Sequence, residues 1–102
     1  MPKPRLELQA LLEELLGSRN VYFQPPETVR MKYPAIVYNR SRITNRFADN
    51  GVYMQDKIYT ITVIDPDPDS DIPERVSRLP NCSFDRHFTS DHLNHDVFTL
   101  YF

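Results

Sequence analysis

The last third of the chain gathers the side chains best suited to chemistry. Three histidines and three aspartates lie close together there: Asp85, His87, Asp91, His92, His95 and Asp96. Neutral imidazole and carboxylate groups both bind zinc or iron, so the cluster could serve a small metal-binding hydrolase. None of its spacings is characteristic of a known metal site, however, and short polar hairpin loops are commonly built from Asp, Asn, His and Ser. We therefore expect no metal ligand and no cofactor.

Four alternating aspartates, at positions 65, 67, 69 and 71, imitate the start of a calcium-binding helix–loop–helix. The remainder of that motif is missing. Ser70 stands where the motif requires glycine, and Val76 stands where the bidentate glutamate belongs. The acidic run therefore predicts a solvated turn that leads into a helix cap.

Cys82 and His87 are the only conceivable nucleophile and base. They are five residues apart on one predicted strand, and alternation would point their side chains to opposite faces. As the only cysteine, Cys82 also rules out an internal disulfide. Local geometry accounts for both glycines, Gly17 and Gly51, which leaves no phosphate-binding loop. We expect no catalytic residue and no enzymatic activity.

A basic stretch lies in the middle of the chain, where arginines 40, 42 and 46 occur without an intervening acid. Residues 1–64 carry nine basic and six acidic side chains, whereas residues 65–102 carry three basic and eight acidic ones. The arginines could contact DNA phosphates, pair with the acids of a neighbouring subunit, or lie in a solvated loop. The net charge of −2 argues against a dedicated nucleic-acid-binding domain. The subunit-interface candidates are Arg40, Arg42, Arg46, Asp65, Asp67, Asp69 and Asp71.

A chain of 102 residues has room for one hydrophobic core, so we expect a single domain over residues 1–102. Leucines at three- and four-residue spacings predict an amphipathic helix over residues 4–17, which Gly17 would end. The predicted class is α+β, a mainly antiparallel sheet of about five to six strands with this N-terminal helix and a second short helix.

The other elements follow from β-propensity and turn residues. Residues 57–64 alternate with apolar side chains on both faces, which predicts a central strand or an edge strand covered by another subunit. Asp71 and Glu74 resemble a helix-capping pair. The first predicted elements are strands at 21–23 and 35–38, followed by a basic loop and hairpin at about 40–55. This hairpin would turn at Asn50-Gly51, with residues 47–48 and 52–54 as its strands. The remaining elements are an acidic loop at 65–71, a helix at about 72–79, and a C-terminal hairpin at about 82–102 whose strands, 82–89 and 97–102, are joined by residues 90–96.

No apolar run reaches transmembrane length, and the N-terminus does not read as a signal peptide. We expect the protein to be made in the cytoplasm and to have no membrane partner.

Several segments together resemble one protein family. They are Tyr33-Pro-Ala-Ile-Val-Tyr38, Phe47-Ala-Asp-Asn50, Tyr59-Thr-Ile-Thr-Val-Ile-Asp-Pro-Asp-Pro-Asp-Ser70, Ile72-Pro73, Cys82-Ser-Phe-Asp-Arg-His-Phe88 and Leu93-Asn-His-Asp-Val-Phe-Thr-Leu-Tyr-Phe102. The family comprises small tail-terminator proteins of siphophages and prophages of Gram-positive bacteria, also called tail-completion, head–tail joining or minor capsid proteins. The resemblance covers nearly the whole chain after the first helix.

This resemblance implies a virion structural protein at the neck, the head–tail interface, assembled in the cytoplasm of a bacterial host. Such proteins form a homo-hexameric ring that caps the tail tube and joins it to the head connector or stopper protein, with DNA passing through the ring without sequence-specific contact. The resemblance also implies an α+β fold without catalytic residues. A head-completion (stopper) ring protein is the alternative role within the same class.

Overall fold

The computed structural model describes residues 4–48 and 51–102, with the side chains of 46–48 and 52–54 outside that description. The described residues form two helices and five strands, in the order helix, three strands, helix, two strands, which confirms the predicted α+β class. The elements are α1 (Arg5–Leu16), β1 (Val21–Phe23), β2 (Ala35–Ala48), β3 (Gly51–Asp65), α2 (Ile72–Ser77), β4 (Cys82–Ser90) and β5 (Leu93–Tyr101).

Helix α1 forms as its leucine spacing predicts. Leu8, Leu12 and Leu16 fall on one face and are buried. The helix ends at Gly17, whose left-handed φ of 80° lets its N–H donate to the Glu13 carbonyl at 2.9 Å. A residue with a Cβ would be strained in that conformation.

The five strands form one sheet in the order β1-β2-β3-β5-β4, so β3 is central as expected. Among the strands of the described residues, the β1–β2 pair alone is parallel. On β3, Tyr59, Ile61 and Val63 join the core cluster with the buried residues of both helices. Both helices therefore cover the same face of the sheet. We call this the helix face and the opposite side the open face.

Of the basic loop and hairpin predicted at about 40–55, the loop over residues 40–46 is wrong, whereas the strands of the hairpin are present. Strand β2 runs on from Ala35 to Ala48 and pairs with β3 as far as Gly51. A bulge at Ser41 lets the strand continue, and the Ser41 hydroxyl donates to the Ile58 carbonyl at 2.9 Å. Polar side chains do not end a strand whose backbone is fully paired. Asn50 of the expected turn lies outside the described residues.

The C-terminal hairpin also has a shorter connection than expected. Asp91 and His92 both have positive φ, 53° and 63°, and make a tight two-residue turn. Strand β5 therefore begins at Leu93, and residues 93–96 are strand instead of loop. Sequence reasoning missed this turn because it lacks the usual glycine.

On the N-terminal side of Ile58, β3 does not pair with β5, but it stays paired with β2. We call these outer segments, residues 42–48 and 51–57, the arm. The arm lengthens the molecule to 52 × 26 × 23 Å. Within residues 4–48 and 51–102, no helix has the length and apolar character needed to cross a membrane.

Candidate assembly surfaces

The acidic loop is organised by its own carboxylates. Asp65 is buried at the end of β3, and its Oδ1 accepts the Asp67 N–H at 2.8 Å. Asp67 repeats the arrangement and accepts the Asp69 N–H at 2.9 Å. These are Asx turns, which aspartate forms because its short side chain reaches the backbone two residues on. The alternation of acids thus builds a loop, with the Asp67 and Asp69 side chains on the surface.

Asp71 does not cap α2 as predicted. It precedes the helix, but its side chain accepts no hydrogen bond from the first-turn N–H groups. The carboxylate instead pairs with Arg75, one turn later, at 2.8 Å. The hydroxyl of Ser70 takes the capping position by accepting the Ile72 N–H at 3.3 Å. The helix spans Ile72–Ser77, two residues less than expected.

Two of the basic candidates lie at the root of the arm, where it leaves the rest of the sheet, and the third lies further out along it. Arg40 and Arg42 lie on either side of the Ser41 bulge, opposite Tyr59 and Ile58, and both are exposed. Arg46 pairs with Met54 through the backbone in the arm, and its side chain is outside the description.

Arg40 and Arg42 lie beside the middle of β3, whereas the acidic loop begins at its C-terminal end. Ile58, opposite Arg42, is seven residues from Asp65, a span of about 23 Å along an extended strand. That distance exceeds the reach of any side-chain pair. Arg42 therefore cannot neutralise the acidic loop of its own subunit, and their pairing between subunits stays a prediction.

The His/Asp cluster is dispersed by the hairpin. His87 and Asp96 face each other across β4 and β5, with Nδ1 and Oδ1 2.8 Å apart. His95 lies on the open face and stacks on Phe88, with ring centroids 4.6 Å apart. Across residues 4–48 and 51–102, no three His, Cys, Asp or Glu side chains converge as metal ligands.

Cys82 and His87 share one face of the sheet, contrary to the prediction from alternation. A bulge between Phe84 and Arg86 shifts β4 by one residue, so Cys82 pairs with Leu100 and His87 with Asp96. Their partners on β5, Leu100 and Asp96, are four residues apart, which is about 13 Å along the strand. Burial raises the pKa of the Cys82 thiol, which disfavours the reactive thiolate. The two side chains are too far apart to act as a nucleophile and its base.

The open face carries none of the motifs considered above. Neutral and mostly β-branched side chains occupy its centre, and the register across β2, β3 and β5 aligns them: Val37, Asn39, Thr60, Thr62, Val97 and Thr99. Two aromatic rings flank them, Phe88 and Tyr101, which are 40% and 43% exposed. The alternation of Ile58, Thr60, Thr62 and Ile64 on β3 was the signal for this face in the sequence.

Comparison with protein-family models and with curated proteins gives no match to this chain.

Proposed function

We propose that this chain is a tail-terminator subunit, which assembles with copies of itself into a hexameric ring that caps a siphophage tail tube and joins it to the head connector. The class of function is steric and associational. A closed ring satisfies both sides of a heterologous interface and leaves two annular surfaces for two different partners, the tube and the connector.

The observation that carries the proposal is the arm. At the root of the arm, the Phe102 N–H donates to the Lys57 carbonyl at 2.9 Å. Further out, within the described residues, the two strands of the arm pair only with each other. An isolated two-stranded hairpin is marginally stable in water, and one of its side chains, Ile43, is 41% exposed. An arm of this kind gains stability by lying against a second subunit.

The charge distribution supports the same reading. Within one subunit, the second half of β3 separates Arg42, opposite Ile58, from the exposed acids of residues 67–69. In a ring, the basic end of one subunit can approach the acidic end of the next. Exposed pairs contribute only about 0–1 kcal/mol each, so they would set register more than affinity.

The test uses the purified chain together with a siphophage tail-tube protein from the same genome. We expect a six-fold ring in negative-stain electron microscopy and a light-scattering mass of six chains, at least when tube is present. Adding the chain to polymerising tube protein should shorten the tubes and leave one ring at a tube end. Tubes of unchanged length, with no ring at their ends, would contradict the proposal.

The stopper alternative makes a different prediction in the same assay. A head-completion protein binds the connector and leaves tube length unchanged. Incubating the chain separately with connector and with tube protein, followed by co-sedimentation, distinguishes the two roles. Binding to the connector alone would replace the terminator assignment with the stopper assignment.

A further inference from the structure

We propose that the open face of each subunit is covered by the outward face of helix α1 from the neighbouring copy. This inference rests on the proposed ring and identifies its subunit interface. The ring interface would then be heterologous, helix to sheet, and each sheet would gain a helical layer on its second side.

The open face has the composition of a covered surface. A sheet face that stays in water normally carries polar and charged side chains that alternate with the core residues. Here Val37, Thr60, Thr62 and Thr99 are partly exposed at its centre, with Tyr101 at one end. Within the described residues, the loop at 24–34 reaches the β1 side, where the Tyr22 hydroxyl accepts the Lys32 N–H at 3.2 Å. Neither helix packs on this face.

Outside the arm, the in-register charges of the open face have one sign. The stretch considered runs from the Ala35–Ile64 pair to the Arg42–Ile58 pair, together with the β5 and β4 residues beside it. Its charged side chains on the open face are Arg42, at the root of the arm, and Arg86, on the edge strand β4. Among the described residues of this stretch, no carboxylate occupies an in-register position of the open face, and Asp56, opposite Thr44, lies on the same side further out in the arm. Asp85 lies in the bulge of β4 and pairs with Arg86 at 3.2 Å. A partner for this face therefore needs a neutral or acidic surface.

The outward face of α1 meets that requirement. Opposite the buried leucines, the helix exposes Leu6, Glu7, Ala10 and Glu14. Leu6 is 67% exposed, the largest fraction among the exposed large hydrophobic side chains of the described residues. The basic side chain of the helix, Arg5, turns inward, where it donates to the Tyr38 hydroxyl at 3.0 Å and lies 4.4 Å from the Phe23 ring centroid. One leucine, one alanine and two carboxylates thus face solvent on a rigid element.

The placement of these two surfaces suits a ring. They lie on opposite sides of the same sheet, so a copy that offers its helix to one neighbour offers its open face to the other. The open face spans roughly 400 Å² in projection, taking four strands about 4.8 Å apart and six residue steps of about 3.4 Å. A standard interface takes about 800 Å² from each partner. The helix-to-sheet contact would therefore need the arm as a second contact.

Cysteine cross-linking tests this contact directly. In a Cys82→Ala background, the chain carries Ala10→Cys on α1 and Thr62→Cys on the open face, and is treated with a short bismaleimide. These positions lie on opposite sides of one sheet, so a link between them requires two copies. We expect a ladder of cross-linked chains for the double variant on a denaturing gel and monomers for each single variant.

Other results would overturn the inference. Dimers from Thr62→Cys alone would mean that two open faces pack on each other. Oligomers by light scattering without the ladder would assign the open face to another partner and leave the proposed ring intact. A chain that is monomeric at every concentration, and that leaves tube length unchanged, would overturn the ring and this interface together.

Charge reversal supplies a second test. Thr60→Glu places a carboxylate opposite Glu7 and Glu14 of the neighbour, whereas Thr60→Lys has a similar size and the favourable sign. We expect Thr60→Glu to weaken assembly by about tenfold or more, because like charges in a contact are strongly unfavourable. Thr60→Lys should assemble normally, and Glu14→Lys should restore the Thr60→Glu chain. Equal assembly of the two Thr60 variants would contradict the contact.

Discussion

Asp65 is the only charged side chain that is buried among the described residues. Its carboxylate accepts the Asp67 N–H, and its carbonyl accepts the Asn94 side-chain amide at 3.1 Å, so it joins the acidic loop to β5. Asp65→Ala should lower the free energy of unfolding by about 1–2 kcal/mol, since it leaves a partly buried N–H without its acceptor. Asp65→Asn keeps an acceptor oxygen and should cost less. Urea denaturation of both variants measures the difference, and equal losses would argue against the Asx turn.

Asp71 is a contrasting carboxylate, since its pair with Arg75 lies on the surface and spans one helical turn. Asp71→Ala should cost about 0.3–0.5 kcal/mol, the usual contribution of such a pair. Ser70→Ala, which removes the acceptor of the Ile72 N–H, should cost more. Thermal denaturation in low salt compares the two. A larger loss for Asp71→Ala would restore the capping role that the sequence suggested.

Tyr38 gives the protein a predictable response to alkaline pH. Its buried hydroxyl donates to Gln9 Oε1 at 2.6 Å. Burial raises the pKa of Tyr38 above its ordinary value of 10.0, although the Arg5 hydrogen bond opposes the shift. The folded state then holds the proton more tightly than the unfolded chain. Its stability contribution is therefore complete below pH 10 and is lost as pH rises through the folded pKa.

Tyr38→Phe removes this titration. We expect the variant to be less stable near neutral pH by about 1 kcal/mol, because Arg5 and Gln9 lose a partner. Its stability should then fall less steeply above pH 10 than that of the parent chain. Urea unfolding at a series of alkaline pH values measures the slope. Tyr101→Phe, at the exposed end of β5, is the control, and identical slopes for all three chains would contradict the assignment.

At the scale of elements, β5 is the strand whose loss should unfold the sheet. It lies between β3 and β4, and its Val97, Phe98 and Leu100 are buried. Phe98→Ala should cost about 3–5 kcal/mol, the usual range for emptying a buried aromatic site. Phe84 provides a matched control, because its ring contacts Phe98 edge-on at 5.5 Å but is 57% exposed. Chemical denaturation should show a much smaller loss for Phe84→Ala, and removal of residues 97–102 should leave no folded protein.

At the scale of the whole molecule, the arm allows folding to be tested apart from the proposed assembly. Ile43 and Lys57 face each other in register, so an Asn-Gly turn can replace residues 44–56 between them. The shortened chain should keep its far-ultraviolet circular dichroism per residue and its cooperative unfolding, since the core cluster contains no arm residue among those described. It should fail to form the ring in light scattering. Rings of normal mass would show that the arm is dispensable.

The sequence by itself determined the elements whose pattern is local. The leucine spacing of α1, the glycine that ends it and the two-sided apolar alternation of β3 follow from side-chain periodicity, and all three are found in the structure. Polar composition, in contrast, misled the prediction for residues 40–46. Their strand character comes from backbone pairing with β3, which is a contact between distant residues.

Only the tertiary structure decided which side chains share a surface. One bulge in β4 placed Cys82 and His87 on the same face, and one tight turn at Asp91 and His92 turned a supposed metal cluster into pairs across a hairpin. Neither feature has a distinctive residue signature. The open face likewise exists because both helices pack on one side of the sheet. The side on which a helix packs depends on how the chain connects it to the strands, which no local sequence pattern encodes.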